Sequence, residues 1–167
     1  TKAKRKTFLG RVRPNPKRTW IIPTHAQVEK RGIFLRFATP LDPNSASKGT
    51  SYEVRRWNYK RTPSYGSPHV KLDGTKGTET LPVASVKLSK DEQAVFLGIP
   101  DMREVMQIEV GYKISASDGS AIENKTFLTA HLLRKLALGE HGFADNRINL
   151  KVDGLAPIVK RPAKPSI

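Results

Sequence analysis

A chain of 167 residues has room for one ordinary domain, and its complete lack of cysteine excludes disulfides, thiol catalysis, C-x-x-C-H haem attachment and cysteine-ligated zinc from within the chain. The net charge of +15 is concentrated at the ends: residues 1–36 carry 11 Lys or Arg against Glu29 alone, residues 134–167 carry seven basic against three acidic side chains, and the 97 residues between carry 12 against 11. With 12 Gly, 12 Pro and 37% hydrophobic residues, the composition favours many turns over long helices and a nearly neutral all-β middle with basic ends.

Residues 1–31 read as a basic arm. Lys2, Lys4, Arg5, Lys6, Arg11, Arg13, Lys17 and Arg18 are interrupted by Phe8, Leu9, Pro14, Pro16 and Trp20. Such runs are ordinarily solvated, yet this mixture also suits an arm lying along an acidic partner or a polyanion. The opening lacks the apolar stretch of a signal peptide and reads as a processed or excised piece, and no run of 18 apolar residues predicts a membrane-spanning helix. Trp20-Ile21-Ile22-Pro23 is the apolar anchor of this segment and reads as a strand added to a sheet edge.

From Gly32 the text is β-like. Ile33, Leu35 and Phe37 alternate on one face until Thr39-Pro40. Leu41 to Ala46 reads as a single helical turn, with Asp42 capping the amides beyond Pro43. Tyr52 to Tyr59 alternates with Tyr52 and Val54 inward, then Trp57 and Tyr59; the phase slips by one, and a bulge would absorb the slip. Residues 60–80 are too densely punctuated by Gly and Pro for regular structure. Three strands follow, at Val83–Leu88, Ala94–Ile99 and Val105–Ser115. Asp118-Gly119 then makes a hairpin into a last strand, Lys125 to His131. His131 to Leu138, closed by Gly139, reads as a short helix. Ile148 to Val152 reads as one more strand, and Ala156 to Ile167, with three prolines, as an extended tail.

Phe37-Ala38-Thr39-Pro40-Leu41-Asp42-Pro43-Asn44-Ser45-Ala46 and Asp118-Gly119 make the stretch from Gly32 to His131 resemble a bacterial immunoglobulin-like domain with the pattern F-x-x-P-L-D-P-x-S-A and a D-G hairpin. Arg56-Trp57-Asn58-Tyr59, Tyr65-Gly66-Ser67, Val83 to Ser89, Val105-Met106-Gln107 and Thr129-Ala130-His131 make it similar to the module C-terminal to glucose or sorbosone dehydrogenase-like β-propellers in large extracytoplasmic, haem-binding bacterial proteins. The resemblance implies an immunoglobulin-like antiparallel β-sandwich of about seven strands at 32–131, between the arm at 1–31 and a short helix and extension at 132–167. It implies an extracytoplasmic setting and no catalytic residue in this module. The propeller and the cytochrome lie outside this chain.

The residues offer no centre for chemistry. His25, His69, His131 and His141 are too scattered for a metal-ligand pattern, the aspartates sit in turns where they bond local amides, and no serine lies in a G-x-S-x-G setting. No cofactor is expected. Trp57, Tyr59, Tyr65 and Tyr52, beside Arg55, Arg56, Lys60 and Arg61, could stack on sugars or bases; the plainer reading puts Trp57 and Tyr52 in the core and uses Tyr59 and Tyr65 to pin the loop. The expected function is therefore non-catalytic: an accessory or assembly subunit of a redox-related complex, docked on an acidic protein surface through Lys2, Lys4, Arg5, Lys6, Phe8, Leu9, Arg11, Arg13, Lys17, Arg18 and Trp20. A polyanion-binding protein (nucleic acid or acidic glycan) and a carbohydrate-binding module are the alternatives.

Overall fold

The computed structural model describes residues 20–63, 66–135 and 137–152. Their strands are β1 (His25–Glu29), β2 (Gly32–Arg36), β3 (Tyr52–Tyr59), β4 (His69–Val70), β5 (Glu79–Leu81), β6 (Ser85–Leu88), β7 (Ala94–Gly98), β8 (Val105–Ser115) and β9 (Ala121–Ala130), with one helical turn, α1 (Pro43–Ala46). They form two antiparallel sheets, ordered β1-β2-β7-β6 and β4-β3-β8-β9, with β5 also paired to β3. This makes nine strands among the described residues against the seven expected. Three were not expected, β1 inside the segment read as the arm and β4 and β5 inside the stretch read as loop, and one expected strand, at 148–152, does not form.

Where the signal was local, the expectation holds. Asp42 caps α1 by accepting from the amides of Asn44 and Ser45, both at 3.1 Å. At the β8–β9 turn Gly119 adopts φ 83°, a left-handed conformation that suits glycine, and Asp118 Oδ1 accepts from Ser120 N at 2.8 Å. Ile108, Val110, Tyr112 and Ile114 of β8 alternate into the space between the sheets, where they meet Leu35, Phe37, Val95 and Leu97 of the other layer.

Sheet one is buried on both sides, which explains why Ala94-Val95-Phe96-Leu97 carries no polar residue. Val95 and Leu97 face the inter-sheet core. Phe96, Ala94 and Phe34 face the other way, under Leu138, Phe143 and Ile148 of the C-terminal segment. Ser85 Oγ donates to Asn149 O at 2.6 Å, Lys90 N donates to Gly142 O at 2.9 Å, and Lys87 pairs with Asp145. The Lys87 ammonium and the Arg147 amide hold the Asp145 carboxyl down at about 2. Gly98 makes the approach possible: a Cβ there would sit 2.9 Å from the Ile148 side chain and 3.2 Å from Asn149 O.

This covering explains two departures from expectation. Among the described residues of 131–138 there is no α-helix; a 3-10 turn, Leu138–His141, is closed by Gly142 at φ 82°. Leu133 packs on the inter-sheet core and Leu138 on the outer cluster, so the segment serves two layers. Lys30 N also donates to Arg134 O at 2.8 Å, so that carbonyl pairs with β1 as an isolated parallel bridge. Ile148 to Val152 is likewise no strand: its carbonyls at Ile148 and Asn149 accept side-chain donors, from Arg31 and Ser85, in place of a ladder.

The bulge lies in a different strand from the one expected. β3 pairs with β8 without a slip from Tyr52↔Tyr112 to Trp57↔Gln107; the shift falls in β8, between Val105 and Ile108. The inward series of β3 is therefore Tyr52, Val54, Arg56. Arg56 is 5% exposed; its Nε reaches Glu79 Oε2 and its Nη2 reaches Asp101 Oδ2, both at 2.7 Å, and Nη1 donates to the Asp101 carbonyl.

Candidate partner-binding surface

Of the residues expected to meet a partner, Lys2, Lys4, Arg5, Lys6, Phe8, Leu9, Arg11, Arg13, Lys17 and Arg18 lie outside the described residues. Trp20 is described, and it is 48% exposed. Ile21 and Ile22 beside it are 43% and 47% exposed, so three consecutive large apolar side chains face solvent. Their backbone is held. Tyr112, itself buried and packed edge-on against Phe37 with ring centroids 5.5 Å apart, donates its hydroxyl to Ile21 O at 2.9 Å. Burial pushes that phenol up to about 12, so it stays a donor at every physiological pH. Three residues on, Thr24 N donates to Arg36 O at 2.7 Å, and β1 begins at His25.

These contacts put the strip at the end of the molecule that carries α1 and the β8–β9 turn, the end where Leu41 bridges Ala116. The acids of that end serve local bonds. Asp42 caps α1; Asp91 accepts from Ser89 Oγ and Arg36; Asp118 accepts from Ser120 N. All three carboxyls are held below the usual range, Asp42 and Asp118 chiefly by backbone amides and Asp91 chiefly by the Ser89 hydroxyl.

The aromatic group is divided differently from either expectation. Tyr52 is in the inter-sheet core, donating to Ala46 O at 2.8 Å, and burial raises its phenol pKa. Trp57, although only 5% exposed, belongs to the opposite phase of β3. There its ring stacks on His69 at 4.7 Å and meets Tyr59 edge-on at 6.4 Å. With one face against His69 and little surface open, it offers no platform for a sugar. Tyr65 lies outside the described residues. Arg55 and Arg56 are both engaged, Arg55 with Glu53 and Glu109 at 3.2 and 3.1 Å.

Among the described residues Trp57 Nε1 is buried without a hydrogen-bond partner, so the indole contributes shape rather than a bond. Trp57→Phe is expected to change stability by less than about 1.5 kcal/mol, and Trp57→Ala to cost about 3 kcal/mol through the lost ring and the cavity. Chemical denaturation of both variants checks this. Equal losses in the two would mean that the N–H is bonded after all.

Among the described residues no group of three or more His, Asp or Glu is placed to hold a metal ion, and no helix is long and apolar enough to cross a membrane. His25 and His141 instead pack against Phe34, at 5.8 and 5.0 Å. Comparison of the chain with protein-family models, with curated proteins and with solved structures finds no match. What the surface can do is thus argued from its own residues. A pinned, exposed Trp-Ile-Ile strip continuous with a strongly basic segment can bury apolar area and attract negative charge in one contact.

Proposed function

We propose that this chain is a non-catalytic accessory or assembly module that docks on an acidic protein surface, a partner subunit or neighbouring domain, through Trp20-Ile21-Ile22 and the basic segment before it. The observation that carries the reading is the exposure of that strip on a backbone fixed by Tyr112. Large apolar side chains on a hydrogen-bonded backbone give up less backbone freedom on binding, and such anchors supply most of the energy of protein interfaces. Lys2 to Arg18 add long-range attraction, which acts mainly on the association rate.

The same reading takes the two sheets as an immunoglobulin-like sandwich. Lettered in chain order, with β4 and β5 set aside beside β3, the first sheet runs A-B-E-D and the second C-F-G, the order of constant-type immunoglobulin domains. That agreement supports the resemblance on which the extracytoplasmic, redox-related setting is proposed.

Salt dependence separates this reading from polyanion binding. An arm that neutralised about six to eight phosphates would lose affinity with a log–log slope near −5 to −7. Burial of Trp20, Ile21 and Ile22 survives screening, so the chain is expected to stay with its natural partner through a wash at about 1 M salt. In pull-downs Trp20→Ser with Ile22→Ser should release it, whereas Lys2, Lys4, Arg5 and Lys6→Gln should mainly slow association. Release at about 0.5 M salt, with matching affinity for RNA or heparin, would put the polyanion reading first.

A further inference from the structure

At the opposite end of the molecule from the Trp20 strip, a pocket of about 680 Å³ opens between the β1–β2 turn and the returning C-terminal segment. Its size is that of a small-molecule site, in the range of about 300 to 1,000 Å³. Phe96, Leu138 and Ile148 line its apolar part, continuous with the outer-face cluster of sheet one. Lys30, Arg31, Arg134 and Lys135 also line it.

Those four cations are held together by the fold. Lys30 N donates to Arg134 O at 2.8 Å, and Glu29 bridges Arg134, so the two basic dipeptides sit side by side. The Arg31 guanidinium donates to Ile148 O at 2.8 Å, which ties it to the wall with one of its five donors. On the sheets and the loops beside them, Arg36, Arg55, Arg56, Lys87, Arg103 and Lys125 each have a carboxylate within ion-pair distance. Among the described residues none of the four pocket cations does. Adjacent like charges beside an apolar hollow repel, and an oxyanion placed among them eases that repulsion.

We infer that this pocket binds an amphipathic organic anion, with its oxyanion head among Lys30, Arg134 and Lys135 and a compact apolar body against Phe96, Leu138 and Ile148. Burial sets the orientation: Lys30, Arg31, Arg134 and Lys135 are exposed, whereas Phe96 and Leu138 are each 1% exposed, so the head lies at the rim and leaves the interior to the apolar part. Carboxylate and phosphate heads share this chemistry, since both accept the paired N–H donors of arginine. The site is independent of the docking reading, and either can fail alone.

The test is titration of the whole chain, followed by backbone amide NMR, with decanoate and decyl phosphate below their micelle concentrations. Decanol, decyltrimethylammonium and acetate serve as neutral, charge-reversed and head-only controls. Saturable 1:1 binding of at least one anion, with shift changes at residues 29–31, 96–98 and 134–148, supports the site. Decanol, acetate and the cation should each bind about tenfold more weakly or worse. Arg134→Gln with Lys135→Gln should weaken the anions about tenfold, while Arg134→Lys with Lys135→Arg retains them. Among the described residues neither side chain has an ion pair, so the melting temperature should move little. Equal binding of decanol or of the cation, unchanged affinity in the Gln variant, or shifts confined elsewhere would overturn the assignment.

Discussion

A chain ended after Lys135 is expected to lose its cooperative fold. That cut removes Leu138, Phe143 and Ile148 and uncovers Phe34 and Phe96, which are each 1% exposed in the intact molecule. Two newly exposed aromatic rings, together with the burial lost from the removed side chains, cost on the order of 5 kcal/mol or more, comparable with the whole stability of a domain of this size. The milder variant Phe143→Ala keeps the segment and should cost about 3 kcal/mol, or about 10 °C in melting temperature. Calorimetry measures both, and dye binding to the exposed face accompanies the truncation. If the truncated chain melted within a few degrees of the intact one, the C-terminal segment would be an appendage and the outer cluster unimportant. Limited proteolysis gives the same contrast, with protection extending from about residue 24 to 150 rather than ending at His131.

Replacing Arg56 by Met is expected to cost about 3 to 5 kcal/mol, because it leaves Glu79 and Asp101 facing one another without the guanidinium that joins them. Arg56 sits in the inward phase of β3, opposite Ile108 and Glu79 in the ladders on either side. Restoring neutrality with Glu79→Gln and Asp101→Asn in the Met background should recover much of the loss, since an apolar replacement of an entire buried ion cluster is often tolerated. The pH dependence follows. Burial raises the Asp101 carboxyl, but hydrogen bonds from Arg56 and Arg103, with their charges, outweigh burial and hold it below the ordinary value of 3.8. A carboxyl depressed in the folded state adds stability that is fully present above its unfolded pKa and fades as pH falls through the folded one. Wild-type stability should therefore decline below about pH 4, and the Met variant, whose Asp101 no longer has the Arg56 bonds that lower it, should lose that part of the decline. An Arg56→Met variant with wild-type stability and an unshifted acid limb would show that the ion cluster is incidental.

Chemistry confined to a few neighbouring residues decided much of this protein at the level of sequence. Asp42 with Pro43 specifies the α1 turn because the cap and the amides it bonds lie within three residues. Asp118-Gly119 specifies the β8–β9 turn because only a left-handed residue closes it there, and the alternation of Ile108 to Ile114 specifies a strand with one face in a core. Trp20, read as a contact residue, is exposed, and the strand expected there begins at His25, where β2 supplies a partner ladder.

Tertiary structure alone decided which side of its sheet Trp57 occupies, because the side follows from registry with β8, more than 45 residues away in sequence, and the bulge that resets the phase belongs to that partner strand. It also separated Leu133 from Leu138. The inter-sheet core and the outer face of sheet one each bury one of them, and burial in two layers outweighs a marginal helix of two turns. The cation cluster arises the same way. Lys30-Arg31 and Arg134-Lys135 are unremarkable basic pairs until a single bridge between β1 and the chain beyond β9 sets them around one pocket. Local bonds and side-chain period are written along the chain, whereas registry, layer and charge proximity depend on which distant segment packs alongside, and only the folded molecule supplies that.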